Sequence, residues 1–299
     1  MRRERARAVI LQPMSQPRYD YVAIGHVTCD VLADGDEQTR RPGGSAFYSA
    51  LQAARLGLSA LVLTQGVPSQ IEELLRPYRH ELDLRVIPAP ETTTLATRSV
   101  PDRRGTGPTR SQRVLAWAGA IVEPLAVNAS ILHLAPVARE TPTCVQADMD
   151  FVGITPQGLV RDWPDGEIRS VELDSALLPE RFDAAVISEH ELMSCDRLLA
   201  TAQACGACVA VTAGSCPARV HVPDGSGAHL VHSAPPPRVA VNDDLGAGDV
   251  FAAAFFIALA EGQTPLAAAS FANAAAAVRI AGSGPAAIGE RVQIEAVLA

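Results

Sequence analysis

The sequence predicts an α/β protein with a largely parallel sheet covered by helices on both faces, and a few strands projecting from one edge as a lid. Three observations lead there. Short apolar runs recur at 21–24, 60–64, 84–87, 131–134, 151–154, 184–187 and 209–212, each the length and composition of a strand buried on both faces. Between several of them lie alanine- and leucine-rich segments with helical spacing, notably 45–56 and 189–204, and strand alternating with helix means a parallel sheet with helical layers. Two regions break the pattern: the polar stretch 33–41, and 92–117, which reads as strand, Pro/Gly/Arg tip (101–110) and strand. They place the lid at about 31–42 and 92–117. A further hairpin at 159–171, turning at Pro164-Asp165-Gly166, reads as decoration.

With 299 residues, 48% of them hydrophobic, the chain can bury one large α/β core carrying a small subdomain. The formal charge of −8, with no basic block outside the first residues, argues against nucleic acid, whose phosphates demand a basic surface. Residues 1–18 hold Arg2, Arg3, Arg5, Arg7 and Arg18 around a three-residue apolar run. A secretory signal needs about 7–15 apolar residues, so the expectation is a disordered tail before a domain spanning 19–299. The longest apolar run, 250–260, is short of the ~20 residues that span a bilayer; the expected location is cytoplasmic, with no membrane partner. Cys29, Cys144, Cys195, Cys205, Cys208 and Cys216 are scattered. The lone CxxC at 205–208 precedes a strand and lacks a second ligand pair, so the cysteines read as small buried residues.

The residues that carry chemistry are Asp243-Asp244-Leu245-Gly246-Ala247-Gly248-Asp249, which run into the apolar segment 250–260. A helix that apolar is buried, so its N-terminus is desolvated. The two glycines permit a tight turn in which the N–H groups of Ala247 and Gly248 converge, and the helix dipole adds positive potential. Such a hole suits a phosphoryl group in transfer, with Asp249 beside it to take a proton. The same residues also fit a glycine turn in which Asp249 is a plain N-cap. There is no GxxxxGK[ST], no complete GxGxxG after a strand, no GxSxG and no HExxH, which excludes the phosphate loops, dinucleotide sites, esterases and metalloproteases those motifs mark.

Gly246-Ala247-Gly248-Asp249 resembles the C-terminal signature of the ribokinase-like, or PfkB, carbohydrate kinases. Gly43-Gly44 with the helix to Gly57 resembles their N-terminal signature, and 25–30 their substrate-contacting strand end. Residues 211–215 look like the nucleotide-side turn, and 272–276 the helix beside the adenine. The matches fall in the family's order from about residue 20 to the C-terminus. The resemblance implies a three-layer α/β/α sandwich with a β-lid, Mg2+-ATP as donor and Asp249 as catalytic base over the Gly246-Ala247-Gly248 backbone. It implies that Asp30 grips substrate hydroxyls, that Gly43 and Gly44 allow close approach, and that Thr212, Gly214, Ser215, Asn273 and Asp243 lie on the nucleotide side. Family members are monomers or lid-to-lid dimers.

The departures bear on the substrate. Asp244 stands where the family usually has Thr. Ser188-Glu189-His190-Glu191 keeps the metal-side Glu191, acting through water, but loses the usual Asn. Tyr48 replaces a substrate-contacting Asn, and Thr155-Pro156-Gln157 replaces an acidic residue. With no evident cationic cluster for a second phosphate, the expected acceptor is an unphosphorylated sugar or polyol, and the arrangement is reminiscent of the inositol-kinase-like branch. A nucleoside kinase of the same fold stays open, since Phe47 and Tyr48 could stack a base. So does a catalytically weak sugar- or nucleotide-binding regulator, motivated by Ser188 and Asp244.

Overall fold

The computed structural model describes residues 17–34, 37–100, 109–122, 125–195 and 197–298. The expected tail lies outside these up to residue 16, and of the expected lid tip at 101–110 residues 101–108 lie outside them while Thr109 and Arg110 begin the strand Thr109–Ala116. In the first half the elements are β1 (Arg18–Ile24), β2 (Thr28–Asp34), β3 (Glu37–Gly43), α1 (Ser45–Arg55), β4 (Ala60–Gly66), α2 (Pro68–Leu75), β5 (Asp83–Pro88), β6 (Thr94–Val100), β7 (Thr109–Ala116) and β8 (Ala126–Leu134). The second half holds β9 (Gln146–Ile154), β10 (Arg161–Asp162), β11 (Arg169–Ser170), β12 (Ala184–Ser188), α3 (Glu189–Leu192), α4 (Leu198–Cys205), β13 (Cys208–Ala213), β14 (Cys216–Pro223), β15 (His229–Ala234), α5 (Ala247–Ala260), α6 (Pro265–Ala281) and α7 (Arg291–Leu298).

The central sheet has the order β15-β14-β13-β12-β9-β8-β1-β4-β5. All seven expected strands are in it and pair in parallel; β14 and β15 add an antiparallel edge. The chain starts in the middle, winds outward through β4 and β5, then returns to β8 and winds the other way. Such a reversal leaves a crevice at the carboxyl ends of the strands. Along β1, Tyr21 and Ala23 join one core while Val22 and Ile24 join the other, the alternation a two-faced strand demands. Helices α1, α5 and α6 fill the first face, and α4 with the 3₁₀ turn Pro156–Val160 the second. Every residue from Val250 to Ala258 is buried, because α5 is wedged between α1, α6 and the sheet.

The helix expected over 189–204 is two short helices. The Ser194 carbonyl accepts from the Leu173 N–H at 2.8 Å instead of continuing the ladder, and Cys195 is drawn into the core. All six cysteines are free, and Cys144 and Cys216 are exposed rather than buried. The sequence misses β14 and β15 because their alternating Arg, His and Pro do not form an apolar run.

The second sheet has the order β3-β2-β6-β7, two hairpins joined by parallel pairing of β2 with β6. Its roots are tied to the core by buried polar groups. Thr93 Oγ1 accepts from the Ala118 N–H at 3.0 Å and lies 2.8 Å from His26 Nδ1, while Trp117 Nε1 donates to the Ala138 carbonyl at 3.1 Å. The hairpin at 159–171 forms as β10 and β11 but is more than decoration. The Gly166 carbonyl accepts from the Val114 N–H and the Ile168 N–H donates to the Gln112 carbonyl, so it abuts the lid strand β7.

Beneath these roots the fully buried Glu140 accepts from the N–H groups of His26 at 2.8 Å, Val137 at 2.9 Å and Ala138 at 2.6 Å, holding the loops after β1 and β8 together. Glu140→Ala leaves three buried donors unpaired, and at roughly 1–3 kcal/mol for each unsatisfied group the expected loss is about 3 kcal/mol or more. Thermal or urea unfolding of the variant measures it.

Candidate active site

At the carboxyl ends of β1, β8 and β9 lies a pocket of about 290 Å³, lined by Thr28, Asp30, Gly44, Ser45, Tyr48, Leu95, Gln112, Val137, Gln157, Arg161, Asp244, Leu245, Gly246, Gly248 and Asp249. Core strand ends, the lid sheet and the N-terminus of α5 each supply a wall. Asp249 is the third residue of α5, whose N-cap is Gly246, so it is not an N-cap itself. Gly246 has φ +80°, and a Cβ there would lie 2.3 Å from the Tyr48 ring; the turn requires glycine on both counts. The first helical bond runs from the Val250 N–H to the Gly246 carbonyl at 3.0 Å. Of the two donors expected to converge, the Ala247 N–H turns instead onto the Asp244 carbonyl at 3.2 Å, while Gly248 lines the pocket.

Burial pushes the Asp249 carboxyl up to about 6; the Ser45 hydroxyl and the Arg161 charge oppose the rise, and Glu191 and Asp30 add to it. Asp30, 4% exposed, accepts from the Thr28 hydroxyl at 2.7 Å. Burial raises its carboxyl too, against the pull of Thr28, Arg41 and Arg161. A Cβ on Gly43 would lie 2.1 Å from an Asp30 carboxylate oxygen, so Gly43 makes room for Asp30. Gly44 caps α1 at φ +96° and lines the pocket. Tyr48 is 1% exposed; burial pushes its hydroxyl up to about 12, against the pull of Arg41 and Arg279. Its ring props the Gly246 turn, which makes it a pocket floor rather than a side chain reaching out.

Sequence reasoning missed Arg161, Gln112, Gln157, Leu95 and Val137. Arg161 is the important one, since no cation was expected here. It enters by the 3₁₀ turn after β9, donating to the Val137 carbonyl at 3.1 Å, and its charge is felt by both Asp249 and Asp30. A Gln157-Gly158 pair followed by Arg161 at a strand end was the available signal.

The residues expected on the nucleotide side are not among those lining this pocket. Thr212, next to last in β13, pairs with Ser188, and Gly214 and Ser215 form the exposed turn into β14. The Asn273 side chain donates to the Ala234 carbonyl at 2.9 Å, tying α6 to β15. The Asp243 carboxylate points inward, onto Arg41, Arg279 and the Gly284 N–H. Glu191 closes a capping box: its Oε2 accepts from the Ser188 N–H and hydroxyl at 3.1 and 2.8 Å. Among the described residues no three His, Cys, Asp or Glu gather as a metal cage.

A crevice at a strand-order reversal, a helix start and a buried carboxyl raised toward neutrality thus meet in one pocket. The sequence model of the pfkB family carbohydrate kinases matches residues 127–290, more than half the chain, and the chain belongs to that family of small-molecule kinases. Solved structures share the fold. A pyrophosphate-dependent kinase in the ribokinase family, seen as a sulfate complex, superposes with TM-score 0.71 at 18% identity, covering 92% of this chain and 99% of that one. A Methanocaldococcus jannaschii nucleoside kinase gives 0.71 at 17%, over 93% and 98%. An Arabidopsis thaliana ribokinase complexed with ribose and ATP gives 0.68 at 18%, over 94% and 99%. No curated protein matches the chain by sequence. The three-layer sandwich and the small second sheet expected from the sequence are present, and family membership supports the enzyme reading, a small-molecule kinase.

The clash at Gly246 makes the turn testable apart from catalysis. Gly246→Ala is expected to lower stability by about 1–3 kcal/mol through strain and overpacking. In the Tyr48→Ala background the steric share disappears, so a double-mutant cycle in thermal unfolding should show coupling of about 1 kcal/mol or more.

Proposed function

We propose that the chain transfers the terminal phosphoryl group of ATP to a hydroxyl of a neutral sugar or polyol, with Asp249 as general base. The observation that supports this most is Asp249 itself, raised toward neutrality beside the Gly248 N–H in a pocket it shares with Asp30. In the reaction the acceptor hydroxyl gives its proton to the Asp249 carboxylate. Its oxygen forms a bond to the γ-phosphorus, and the bond from that phosphorus to the β-phosphate oxygen breaks, releasing ADP. The start of α5 meets the charge on the group in transfer. Mg2+ bound to the donor would neutralise phosphate charge. It keeps several waters and few protein ligands, and Glu191, with one oxygen committed to Ser188, fits a water-mediated contact better than a direct one.

The pocket's charge favours a neutral acceptor. Among the described residues that line it, the carboxyls of Asp30, Asp244 and Asp249 outnumber the guanidinium of Arg161, so a second phosphate on the acceptor would meet net repulsion. Asp30 with Gln112, Gln157 and Arg161 supplies both acceptors and donors, the mixture that vicinal hydroxyls satisfy. The nucleoside reading loses its stacking platform: Phe47 is fully buried, packed against Tyr78, and Tyr48 lies under Gly246.

Asp249→Asn preserves shape but cannot take the proton, and kcat is expected to fall by about 10²–10⁴. Only the carboxylate form is a base, so in the wild type kcat/KM should fall as pH drops through about 6. Replacing Arg161 by Met removes an opposing charge and moves that limb to higher pH. Turnover by Asp249→Asn near the wild-type level would overturn the mechanism.

A panel of cyclitols, sugars, sugar phosphates and nucleosides, each with ATP and with pyrophosphate, tests the substrate. A neutral polyol or sugar should lead, and Gly43→Ala, by displacing Asp30, should cut its kcat/KM by about 10² while leaving the KM for the donor unchanged. A sugar phosphate or nucleoside at the head would overturn the acceptor, and transfer from pyrophosphate alone would overturn the donor.

A further inference from the structure

The hairpin of β10 and β11 carries a pocket residue at its root. Arg161 is the first residue of β10 and pairs with Ser170 of β11, and Asp162 pairs with Arg169. A ladder this short is not stable by itself in water, so the hairpin's position is set by what it packs on. It packs on the lid sheet. The Val114 N–H donates to the Gly166 carbonyl at 2.7 Å, and the Ile168 N–H donates to the Gln112 carbonyl at 3.0 Å. The Arg113 guanidinium donates to the Asp165 carbonyl at 3.1 Å. Across the same junction the only two tryptophans of the chain, Trp163 of the hairpin and Trp117 just after β7, meet edge to face with ring centroids 5.8 Å apart. Both sides of the junction then hang from one loop. Trp117 Nε1 donates to the Ala138 carbonyl and Arg161 Nη1 to the Val137 carbonyl, each at 3.1 Å, while Glu140 holds the N–H groups of Val137 and Ala138. One bond to a carbonyl does not fix a side chain as rich in rotamers as arginine. Its backbone must be placed as well, and the hairpin places it.

We propose that the β10–β11 hairpin is a strap that presents Arg161 to the acceptor pocket, and that Trp163, seated against Trp117, is a positioning residue for that guanidinium. The proposal rests on the reading of this pocket as the acceptor site with Asp249 as base. Its consequence reaches Asp249. The charged groups that bear on that carboxyl are Arg161, which favours the carboxylate, and Glu191 and Asp30, which oppose it. Loosening the strap weakens the first and leaves the other two in place. Asp249 then binds its proton more tightly and needs a higher pH to act as a base. The donor side, away from the hairpin, should not feel the change.

The test compares wild type with Trp163→Ala, Trp163→Phe, Arg113→Ala and Arg161→Met. The Asp249 carboxyl is titrated by ¹³C NMR without substrates, its resonance assigned by its absence from Asp249→Asn, and rates are followed with ATP and the neutral acceptor that heads the panel. A nearby opposite charge lowers a carboxyl's midpoint by about 1–3 pH units, so Trp163→Ala should raise the Asp249 midpoint by about half a unit or more, and Arg161→Met by more. In Trp163→Ala the kcat/KM for the acceptor should fall about 10- to 10²-fold, with the KM for ATP within about twofold of wild type. Trp163→Phe keeps an aromatic edge and should recover most of both losses. Arg113 is exposed, so Arg113→Ala should fold, move both readouts the same way by less, and decide the matter if Trp163→Ala does not fold. A midpoint that rises in Arg161→Met but stays put in Trp163→Ala and Arg113→Ala overturns the strap alone. So does a Trp163→Phe no better than Trp163→Ala. Should Asp249→Asn turn over normally, the reading of the pocket fails and the strap falls with it.

Discussion

The start of α5 has to be buried, and most of the site follows from that. Nine consecutive apolar residues, from Val250 to Ala258, leave the helix no wet face, so it can only lie inside, and its first N–H groups go in with it. Unpaired donors in an apolar interior are costly. The chain satisfies one by turning the Ala247 N–H back on the Asp244 carbonyl, and Gly246, Gly248 and Asp249 line the pocket. The positive φ of Gly246, the Tyr48 ring beneath it and the inward-facing Asp243 all hold that opening in shape.

The same burial sets the chemistry of Asp249. A carboxyl at an exposed helix start would titrate in the ordinary acid range. Here desolvation wins over Ser45 and Arg161 and lifts it to about 6. Asp243, six residues away, goes the other way. Burial would raise it, but the N–H groups of Gly284 and Leu245 and the charges of Arg41 and Arg279 outweigh that and hold it well below the usual carboxylate range. Two carboxyls of one loop are thus driven apart by their partners, one kept as a fixed charge and the other poised to exchange a proton near neutrality.

What the sequence makes legible is what depends on neighbours along the chain. The seven apolar runs become the seven parallel strands because strands buried on both faces need no partner to announce them. The 243–249 turn is readable because its glycines, its carboxylates and the apolar helix are contiguous. Arg161 is not, for it reaches Asp249 only once β9 lies beside β8 and the 3₁₀ turn after it doubles back. Arg279 is hidden more deeply, in a run of alanines, where the oxygens it serves are some 34–36 positions distant. The break between α3 and α4 likewise depends on Leu173, a residue far from the segment it interrupts.

The two halves of the site are joined through Asp243. Arg41 lies on β3 of the lid sheet, opposite Asp30 on β2, and its guanidinium reaches across to the Asp243 carboxylate. Arg279 reaches the same oxygen from α6. Any shift of β3 that carries Arg41 away changes the charge balance behind the Gly246 turn, and any shift of the turn pulls on the strand paired with Asp30. The lid also contributes Leu95 and Gln112 to the pocket wall, so an acceptor held there bears on the same strands. Strand β3, the loop before α5 and helix α6 are therefore tied together at one carboxylate.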